Sequence, residues 1–338
     1  MTTFERPSIT PTQPQPAQTA IGLAEPPSHG PQWLAGTANG LVSIRSVGQS
    51  DPRVDLEGHT ITALAVGPDR LWAIADRTSI WQRDADQRWR RVAAITDVAL
   101  NCLLPFDDTV LVGNSGARLL RLENGSLEWL NGFESVQGRD EWYTPWGDPP
   151  DVRSLALSAC GDLYVNVHVG GIVRSSDRGQ TWQPTIDVHA DVHQVYTLAD
   201  RPDWVLAATA EGLAISTDRG RSWDFDRDHL HGAYARAIAV CGETILMSAS
   251  TGPRTSRAAL YRRPLYGPGG FEKCDQGLPQ WFADNINTGT LATAGRCAAF
   301  GTSNGEIFGS QDAGLTWRRL ATGLAPVRCL TLNSLSGE

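Results

Sequence analysis

One eight-residue pattern occurs three times in this chain, and its recurrence limits the available folds more than any other feature. The pattern is Ser-x-Asp-x-Gly-x-Ser/Thr-Trp, and its copies are SSDRGQTW at 175–182, STDRGRSW at 216–223 and SQDAGLTW at 310–317. The aspartates of the three copies are 41 and 94 residues apart, and the second interval is about twice 47 residues. Self-similarity at a fixed period of this length indicates a repeat architecture.

Weaker copies of the pattern fill the intervals. Segments 82–89 and 122–129 keep a turn residue and a tryptophan at matching places, 257–271 has Phe271 where tryptophan is expected, and 40–46 begins one more. Each of the seven copies contains short apolar runs bounded by Gly, Asp or Pro, which favour strands. Four short antiparallel strands per unit of this length are typical of a β-propeller blade. We therefore predict an all-β fold, a single seven-bladed β-propeller.

The two ends of the repeat region predict how the ring closes. Residues 32–46 supply the later strands of a blade that has no first strand, whereas 325–334 (APVRCLTLNS) supplies a first strand without a blade. We expect this last segment to pair beside 32–38 (QWLAGTA), because closure leaves no long sheet edge exposed. The propeller is expected to span residues 31–335. Residues 1–30, rich in Pro, Thr and Gln, are expected to form a disordered arm.

Composition limits the classes of binding partner and the cellular compartments that are expected for this protein. The chain of 338 residues has a formal net charge of −8, which disfavours a nucleic-acid partner. Its six cysteines form no CxxC pair, as expected for reduced thiols. The first 30 residues do not have the pattern of a signal peptide, and no stretch is long and apolar enough to span a membrane. These features together predict a cytoplasmic protein that does not bind membranes.

The three complete copies resemble Asp-boxes, also called BNR repeats, which are found in sialidases, xyloglucan hydrolases, sortilin-type receptors and photosystem assembly propellers. The resemblance covers most of residues 30–334 and implies the fold, but it says little about function because those proteins share the box and not the chemistry. It implies that the box is a structural turn between the third and fourth strands of a blade. The residues concerned are Asp177, Gly179, Trp182, Asp218, Gly220, Trp223, Asp312, Gly314 and Trp317.

Each position of the box also has a physical reason of its own. An aspartate side chain can hydrogen-bond to the backbone of its own turn. Glycine two residues later supplies backbone angles that other residues rarely adopt. The tryptophan buries a large ring between layers of the fold. The residues alone therefore favour a structural role over a catalytic one.

A ring of side chains is predicted around the propeller axis. The seven predicted first strands were aligned, and the third position of each is expected to face one central funnel: Thr62, Ala99, Arg153, His193, Arg236, Asn287 and Arg328. Guanidinium groups match carboxylate or phosphate and stay charged at physiological pH, so the three arginines predict an anionic ligand. The alternative is that these arginines pair with Asp97, Asp151 and Asp191 and only tie neighbouring blades together.

Five of the seven histidines fall between residues 168 and 231, on segments that the alignment places near the same funnel: His168, His189, His193, His229 and His231. If 187–194 (DVHADVHQ) is extended, its odd-numbered residues point to one side. Imidazole and carboxylate together suit a divalent transition metal, with His168, His189 and His193 as candidate ligands. They equally suit acid–base chemistry, with His193, Asp191, His168 and Tyr234 as the candidate catalytic set.

Two loops are expected to border the funnel. The insertion 138–151 (GRDEWYTPWGDPPD) carries Trp142 and Trp146, whose rings could stack on a sugar or an apolar ligand. The alternative is a proline-stiffened loop that packs on the neighbouring blade. The second loop, 248–258, is expected to bring Arg254 to the same side.

Two classes of function remain open on these residues. In the first, the funnel binds an anionic small molecule or glycan fragment through Arg153, Arg236 and Arg328, and the protein is a hydrolase or a lyase with or without a divalent metal. A glycosidase is the version that the resemblance to sialidases implies, with Tyr234 as nucleophile and Asp191 as acid. Against it, seven repeats are counted instead of six and no Arg-Ile-Pro segment opens the domain. In the second, the propeller is a non-catalytic scaffold that binds a protein partner.

Overall fold

The computed structural model describes residues 31–45, 53–84 and 86–333. The expected disordered arm, residues 1–30, lies outside the described residues. The regular structure is almost entirely β, with two short 3-10 helices at Asn131–Ser135 and Arg139–Glu141. Among the described residues, no helix has the length and apolar character needed to cross a bilayer.

The strands form seven antiparallel sheets of four strands each. Blade 1 contains β1 (Gln32–Thr37), β2 (Gly40–Arg45), β3 (Arg53–Asp55) and the last strand of the chain, β28 (Val327–Leu332). Blade 2 contains β4 (Ile61–Val66), β5 (Leu71–Ala75), β6 (Ser79–Arg83) and β7 (Trp89–Ala94). Blade 3 contains β8 (Leu100–Phe106), β9 (Thr109–Asn114), β10 (Leu119–Glu123) and β11 (Ser126–Trp129).

The remaining four blades follow the same order along the chain. Blade 4 contains β12 (Asp151–Leu157), β13 (Leu163–His168), β14 (Gly171–Ser175) and β15 (Gln183–Pro184). Blade 5 contains β16 (Val192–Thr197), β17 (Val205–Thr209), β18 (Gly212–Ser216) and β19 (Asp224–Asp226). Blade 6 contains β20 (Tyr234–Cys241), β21 (Thr244–Ser250), β22 (Ala259–Pro264) and β23 (Glu272–Lys273). Blade 7 contains β24 (Leu291–Ala294), β25 (Cys297–Gly301), β26 (Ile307–Ser310) and β27 (Arg318–Ala321).

The prediction of a seven-bladed propeller is confirmed, and burial explains why these segments become strands. The second strands β5, β13 and β17 are buried along their whole length, because each blade is covered on both faces by its neighbours. The outermost strands, such as β15 and β19, are largely exposed. The core therefore lies between the blades. One of its layers, for example, packs Tyr164 of blade 4 against Val192 and Val195 of blade 5.

The ring closes as the sequence predicts. Strand β28 pairs antiparallel with β1, with Leu34 opposite Thr331, and so becomes the first strand of blade 1. The first strands of adjacent blades contact one another around the whole ring, from β28 and β4 back to β24 and β28. Gly36 lies at the seam, where a Cβ atom would come within 2.4 Å of the Cys329 sulfur and 2.8 Å of Ile61 Cγ2. A side chain at this position would push blades 1 and 2 apart.

The Ser-x-Asp-x-Gly turns lie between the third and fourth strands, and their side chains bond to their own backbone. In the first copy, the Asp177 carboxylate accepts hydrogen bonds from the Thr181 amide at 2.9 Å and from its hydroxyl at 2.5 Å. The bonds to the hydroxyl and amide of Thr181 lower the pKa of Asp177 to about 2. Gly179 has a φ of +84°, and the Trp182 indole donates to its carbonyl. The same bonding to the aspartate recurs in the copies at 216–223 and 310–317.

A buried carboxylate ties two blades together. Asp162, which immediately precedes β13, is 1% exposed and accepts hydrogen bonds from Arg174 of its own blade and from Arg219 in the turn of blade 5. Burial alone would raise the pKa of Asp162, but the two arginines lower it below its ordinary value of 3.8. The fork geometry of Arg219, with nitrogen–oxygen distances of 2.8 and 2.7 Å, suits a bidentate pair.

We predict that Asp162→Asn lowers the free energy of unfolding at pH 7 by about 2 kcal/mol, because two partly buried guanidinium groups lose their buried counter-charge. Because the pKa of Asp162 is lower in the folded chain, its contribution is complete above about pH 4 and is lost as the pH falls through the folded pKa. The difference between the two proteins should therefore shrink in acid. Urea denaturation at several pH values measures it.

The exposed Asp108 is the matched control, and Asp108→Asn should change stability by less than about 0.5 kcal/mol. Equal stability of wild type and Asp162→Asn at pH 7 would contradict the role given to this carboxylate.

Candidate functional site

Six of the seven first strands contain a β-bulge, and all but one of these bulges place a side chain in the lining of one central cavity. The pairing register shifts at the same point of these strands and leaves the bulged residue unpaired: Thr62, Asn101, Arg153, His193, Arg236 with Ala237, and Arg328. A bulge bends the strand and re-aims the side chain at that position. Blade 7 differs, since Asn287 lies in the loop before β24.

The alignment of the first strands was wrong in blade 3. Strand β8 begins at Leu100, so the residue equivalent to Arg153 is Asn101, and Ala99 lies before the strand. The two-residue error arose because 97–103 (DVALNCL) begins with the same Asp-Val pair as 151–157. Leu100 and Val152 are each followed by a polar residue. An alignment of these two positions makes Asn101 the equivalent of Arg153.

Most of the bulged residues line a cavity of about 590 Å³: Thr62, Asn101, Arg153, Arg236 and Arg328. His193, which the sequence predicted to face the same funnel, is buried and does not line it. Its lining includes Arg153, Arg236, Arg328 and Asn287, which the sequence predicted to converge. Arg77, which the sequence analysis missed, adds a fourth guanidinium group and donates to Asn101 Oδ1 at 2.5 Å. Asp151 is the acidic residue in the lining, against four arginines.

The arginines of this cavity are not held by carboxylates. Arg236 donates to Asn287 Oδ1 at 2.9 Å and to the Tyr234 hydroxyl at 3.1 Å. Arg153 Nη1 is buried and has no hydrogen-bond partner among the described residues. Burial lowers the pKa of Arg153, and the nearby charge of Arg236 lowers it further. No carboxylate in the described part of the chain is within 4.0 Å of the guanidinium nitrogens of Arg153, Arg236 or Arg328.

The three aspartates proposed as partners for these arginines are placed differently. Asp151 accepts a hydrogen bond from Asn101, and Asp97 accepts one from the Thr96 hydroxyl. Asp191 lies against two histidines. The alternative in which the arginines only tie blades together through aspartates is therefore not what the side-chain contacts show.

His168, Asp191 and His193 form a compact cluster beside the cavity. His168 is the last residue of β13, Asp191 immediately precedes β16, and His193 is the bulged residue of β16. Asp191 Oδ1 is 2.8 Å from His168 Nε2 and 3.4 Å from His193 Nε2. All three ligand-type atoms lie within 4.8 Å of one another.

The hydrogen bonds of His193 define its tautomer. Its Nδ1 is 2.7 Å from the carbonyl oxygen of Ala235, and a carbonyl only accepts, so Nδ1 carries the proton. The lone pair is then on Nε2, 3.0 Å from the hydroxyl of Tyr234. That hydroxyl accepts from Arg236, so its own hydrogen is directed to His193.

His168 is buried, yet neither of its ring nitrogens makes a hydrogen bond in the described part of the chain. The 2.8 Å approach to Asp191 is an ion-pair contact whose geometry is not that of a hydrogen bond. The exposed indole of Trp146 lies over the ring, at 5.2 Å between centroids and an interplanar angle of 33°. Buried imidazoles normally have a partner for each nitrogen, so this side chain requires an explanation.

The electrostatics of the cluster keep both histidines neutral near pH 7. Burial lowers the pKa of His193 to about 3, and Asp191 opposes this effect only in part. Burial also lowers the pKa of His168. For Asp191, burial would raise the pKa, but the close contact with His168 and the positive charge of Arg153 lower it, so the carboxylate stays ionised. The cluster offers two neutral imidazoles and one carboxylate, and His193 is not a charged proton donor at neutral pH.

The other three histidines that the sequence predicted near the funnel are not part of this cluster. Residues 187–190 form a turn in which Asp187 accepts hydrogen bonds from His189 N and Ala190 N, so the segment is not extended there. His189 is therefore turned away, exposed, with its ring 6.3 Å from that of Tyr143. His231 bonds to Tyr261 and to a backbone carbonyl, and His229 is exposed.

Two loop predictions also need correction. Trp142 is 9% exposed and packs against Phe133 beneath Arg139, so it belongs to the core of blades 3 and 4 and is not free to stack on a ligand. The neighbouring Trp146 is 57% exposed, as expected for a ring that overhangs the site. Arg254 is exposed and does not line the cavity.

Comparison with known proteins identifies the fold of this chain but does not assign the chain to a family. A scan against protein-family models found no match, and a search of curated proteins found none. Similar solved structures include PorZ of the Porphyromonas gingivalis type-IX secretion system (13% identity, TM-score 0.54). Others are the GH74 xyloglucanase of Xanthomonas campestris (16% identity, TM-score 0.55) and YCF48 of Cyanidioschyzon merolae (14% identity, TM-score 0.56).

The match to PorZ covers 86% of this chain and 34% of PorZ. The match to the GH74 xyloglucanase covers 86% of this chain and 47% of the enzyme. The match to YCF48 covers 85% of this chain and 89% of YCF48. The chain thus spans about a third to a half of the length of PorZ and of the GH74 enzyme. At such identities, the similarity shows that the chain has the β-propeller fold of these proteins and nothing finer.

We predict that the ¹⁵N shifts of the His193 imidazole show the neutral tautomer protonated at Nδ1, with no titration between about pH 5 and pH 8. We expect no titration in this range because burial lowers the pKa of His193 in the folded chain to about 3, far below the ordinary histidine value of 6.5. Two-dimensional NMR of the intact chain measures it, and the spectrum of His193→Gln assigns the signal. A titration midpoint near 6.5 would contradict the burial of this ring.

Proposed function

We propose that the central funnel of this propeller binds a small anionic molecule, one that carries a carboxylate or a phosphate. The observation that carries the proposal is the convergence of four arginines on one cavity without an ion-paired carboxylate. Like charges that are brought together and partly desolvated cost free energy unless a counter-charge joins them. An anion in the cavity supplies that counter-charge and suits the planar donors of the guanidinium groups.

The donor geometry supports recognition of an anion over simple charge attraction. Arg236 is held on both sides, by Asn287 and by Tyr234, so its orientation is set before a ligand arrives. Arg153 lines the same cavity, and its buried Nη1 has no hydrogen-bond partner among the described residues. Pre-organised donors lose less conformational entropy on binding than free side chains do.

A protein-interaction scaffold is the alternative function, and it requires a broad exposed patch. Among the described residues, the exposed large hydrophobic side chains are scattered over several blades: Val54, Val66, Tyr143, Trp146, Phe225 and Leu315. Tyr143 and Trp146 are the two that share a loop. The similar folds include both an enzyme and a secretion-system surface component, so fold alone does not choose between these functions.

The proposal includes two finer points. The turns around Asp177, Asp218 and Asp312 support membership of the Asp-box propellers, since each aspartate bonds to its own turn. The six free cysteines are consistent with a cytoplasmic location. A sialidase-like glycosidase has less support, because the structure has seven blades where that resemblance implies six.

The test is ligand-induced stabilisation. We expect phosphate, citrate or malonate to raise the unfolding free energy of the wild type, by about 2.7 kcal/mol at a concentration of 100 times Kd. Arg236→Gln should lose most of this gain, and Arg254→Gln should keep it because Arg254 does not line the cavity. Malonamide, the uncharged analogue of malonate, is the ligand control. No stabilisation by any anion, or equal stabilisation of Arg236→Gln, would refute the proposal.

A second prediction concerns the cost of the unpaired charge. In low-salt buffer without polyvalent anions, Arg153→Met should be more stable than the wild type by about 1 kcal/mol, because it removes a partly buried guanidinium whose Nη1 has no hydrogen-bond partner among the described residues. In saturating phosphate or citrate the order should reverse, since only the wild type gains the ligand. Chemical denaturation in the two buffers measures both differences. An equal loss of stability in both buffers would instead indicate a purely structural arginine.

A further inference from the structure

We propose that His168, Asp191 and His193 bind one divalent first-row transition-metal ion, in a site that adjoins the anion cavity. The site lies between blades 4 and 5, and each ligand comes from a different place in the local structure: the end of β13, the residue before β16, and the bulge of β16. The proposal does not depend on the identity, or the existence, of the anionic ligand.

The ligand types and spacings fit such an ion. Two imidazoles and one carboxylate form the set found in three-ligand zinc sites and in non-haem iron sites. Oxygen-rich sites suit magnesium and calcium, and this site has too few oxygens for either. Ligand atoms bound at about 2.0–2.2 Å to a tetrahedral ion lie roughly 3.4 Å apart. The distance of 3.4 Å from Asp191 Oδ1 to His193 Nε2 equals that value, and the distance of 2.8 Å to His168 Nε2 is shorter.

The backbone contact of His193 is the arrangement expected around a metal ligand. Metal-binding histidines usually donate the second ring N–H to a carbonyl or carboxylate, which fixes the tautomer and the ring plane. His193 does so through Nδ1 to Ala235, which leaves the Nε2 lone pair facing Asp191. A metal ion on Nε2 takes the place of the hydrogen bond from Tyr234.

His168 supplies the second, independent observation. The residue is 2% exposed, and neither ring nitrogen has a hydrogen-bond partner in the described part of the chain. Its Nε2 is 2.8 Å from Asp191 Oδ1 without hydrogen-bond geometry, a separation that two ligands of one ion can have. Coordination accounts for a buried imidazole that hydrogen bonding leaves unexplained.

Three protein ligands leave coordination positions open for a small molecule. The structural zinc sites of proteins are closed by four ligands, whereas catalytic sites keep a position free. Trp146 lies over His168 and limits access on that side, while Tyr234 and Arg236 connect the cluster to the cavity. An ion here carries a formal charge of +1 with Asp191, so it attracts the same class of anion as the arginines do.

The test uses the full chain, freed of metal with a chelator and kept in buffer without carboxylates or phosphate. Co²⁺ is titrated by visible absorption, and Zn²⁺ by equilibrium dialysis with metal analysis. We expect one ion of either metal per chain and no competition from Mg²⁺ or Ca²⁺. His168→Gln and Asp191→Asn should each weaken binding at least about 100-fold, since even partners outside the ligand shell cost roughly 10–100-fold.

His189→Gln is the matched control, because His189 lies in the same segment but outside the cluster, and its affinity should equal that of the wild type. Circular dichroism and metal-free thermal unfolding identify any variant that fails to fold; the partly exposed Asp191 then serves as the second test position. Failure of the wild type to bind either ion stoichiometrically, or equal affinity in His168→Gln or Asp191→Asn, would overturn the proposal. Neither result bears on anion binding, which is measured separately.

Discussion

The pairing of β28 with β1 is the contact on which the rest of this structure depends. Because the last strand of the chain becomes the first strand of blade 1, the seven first strands form a closed ring without a free edge. Closure also has a functional consequence. It brings Arg77, Arg153, Arg236 and Arg328, which are far apart in the sequence, around one cavity. An open arc of blades would leave the same arginines on separate surfaces.

The bulges then determine which chemistry the closed ring presents. Each bulge frees one residue of the first strand from the pairing ladder, or two in blade 6, and the blades place different side chains there. Blades 4 and 6 place Arg153 and Arg236 there, whereas blade 5 places His193. The chain as a whole carries a charge of −8, yet its centre is cationic. The field that an approaching ligand meets is therefore local and set by the bulged residues.

The sequence predicted the blades and their closure because the repeated turns have strict local requirements. A glycine at φ +84° and an aspartate that bonds its own turn leave a readable pattern every 40 to 50 residues. The site was predicted less completely. Asn101 was missed and Ala99 was chosen because the Asp-Val pair at 97–98 was matched to the pair at 151–152, although β8 begins only at Leu100. Likewise the turn at 187–190 removed His189 from the cluster, because alternation along a strand does not extend into a turn.

A chain of hydrogen bonds joins the two proposed sites. Arg236 donates to Asn287 and to the Tyr234 hydroxyl, the hydroxyl donates to His193, and His193 donates to Ala235 O. A neutral imidazole has one lone pair, and a tyrosine hydroxyl has one hydrogen.

A metal ion on Nε2 of His193 therefore leaves the hydroxyl hydrogen of Tyr234 without its acceptor. The hydroxyl lies 3.1 Å from an arginine that lines the cavity, so an anion bound there is the nearest acceptor of matching charge. The proposed metal site and the proposed anion site are thus joined by one chain of hydrogen bonds, and any effect of one ligand on the affinity of the other is reciprocal by thermodynamic linkage.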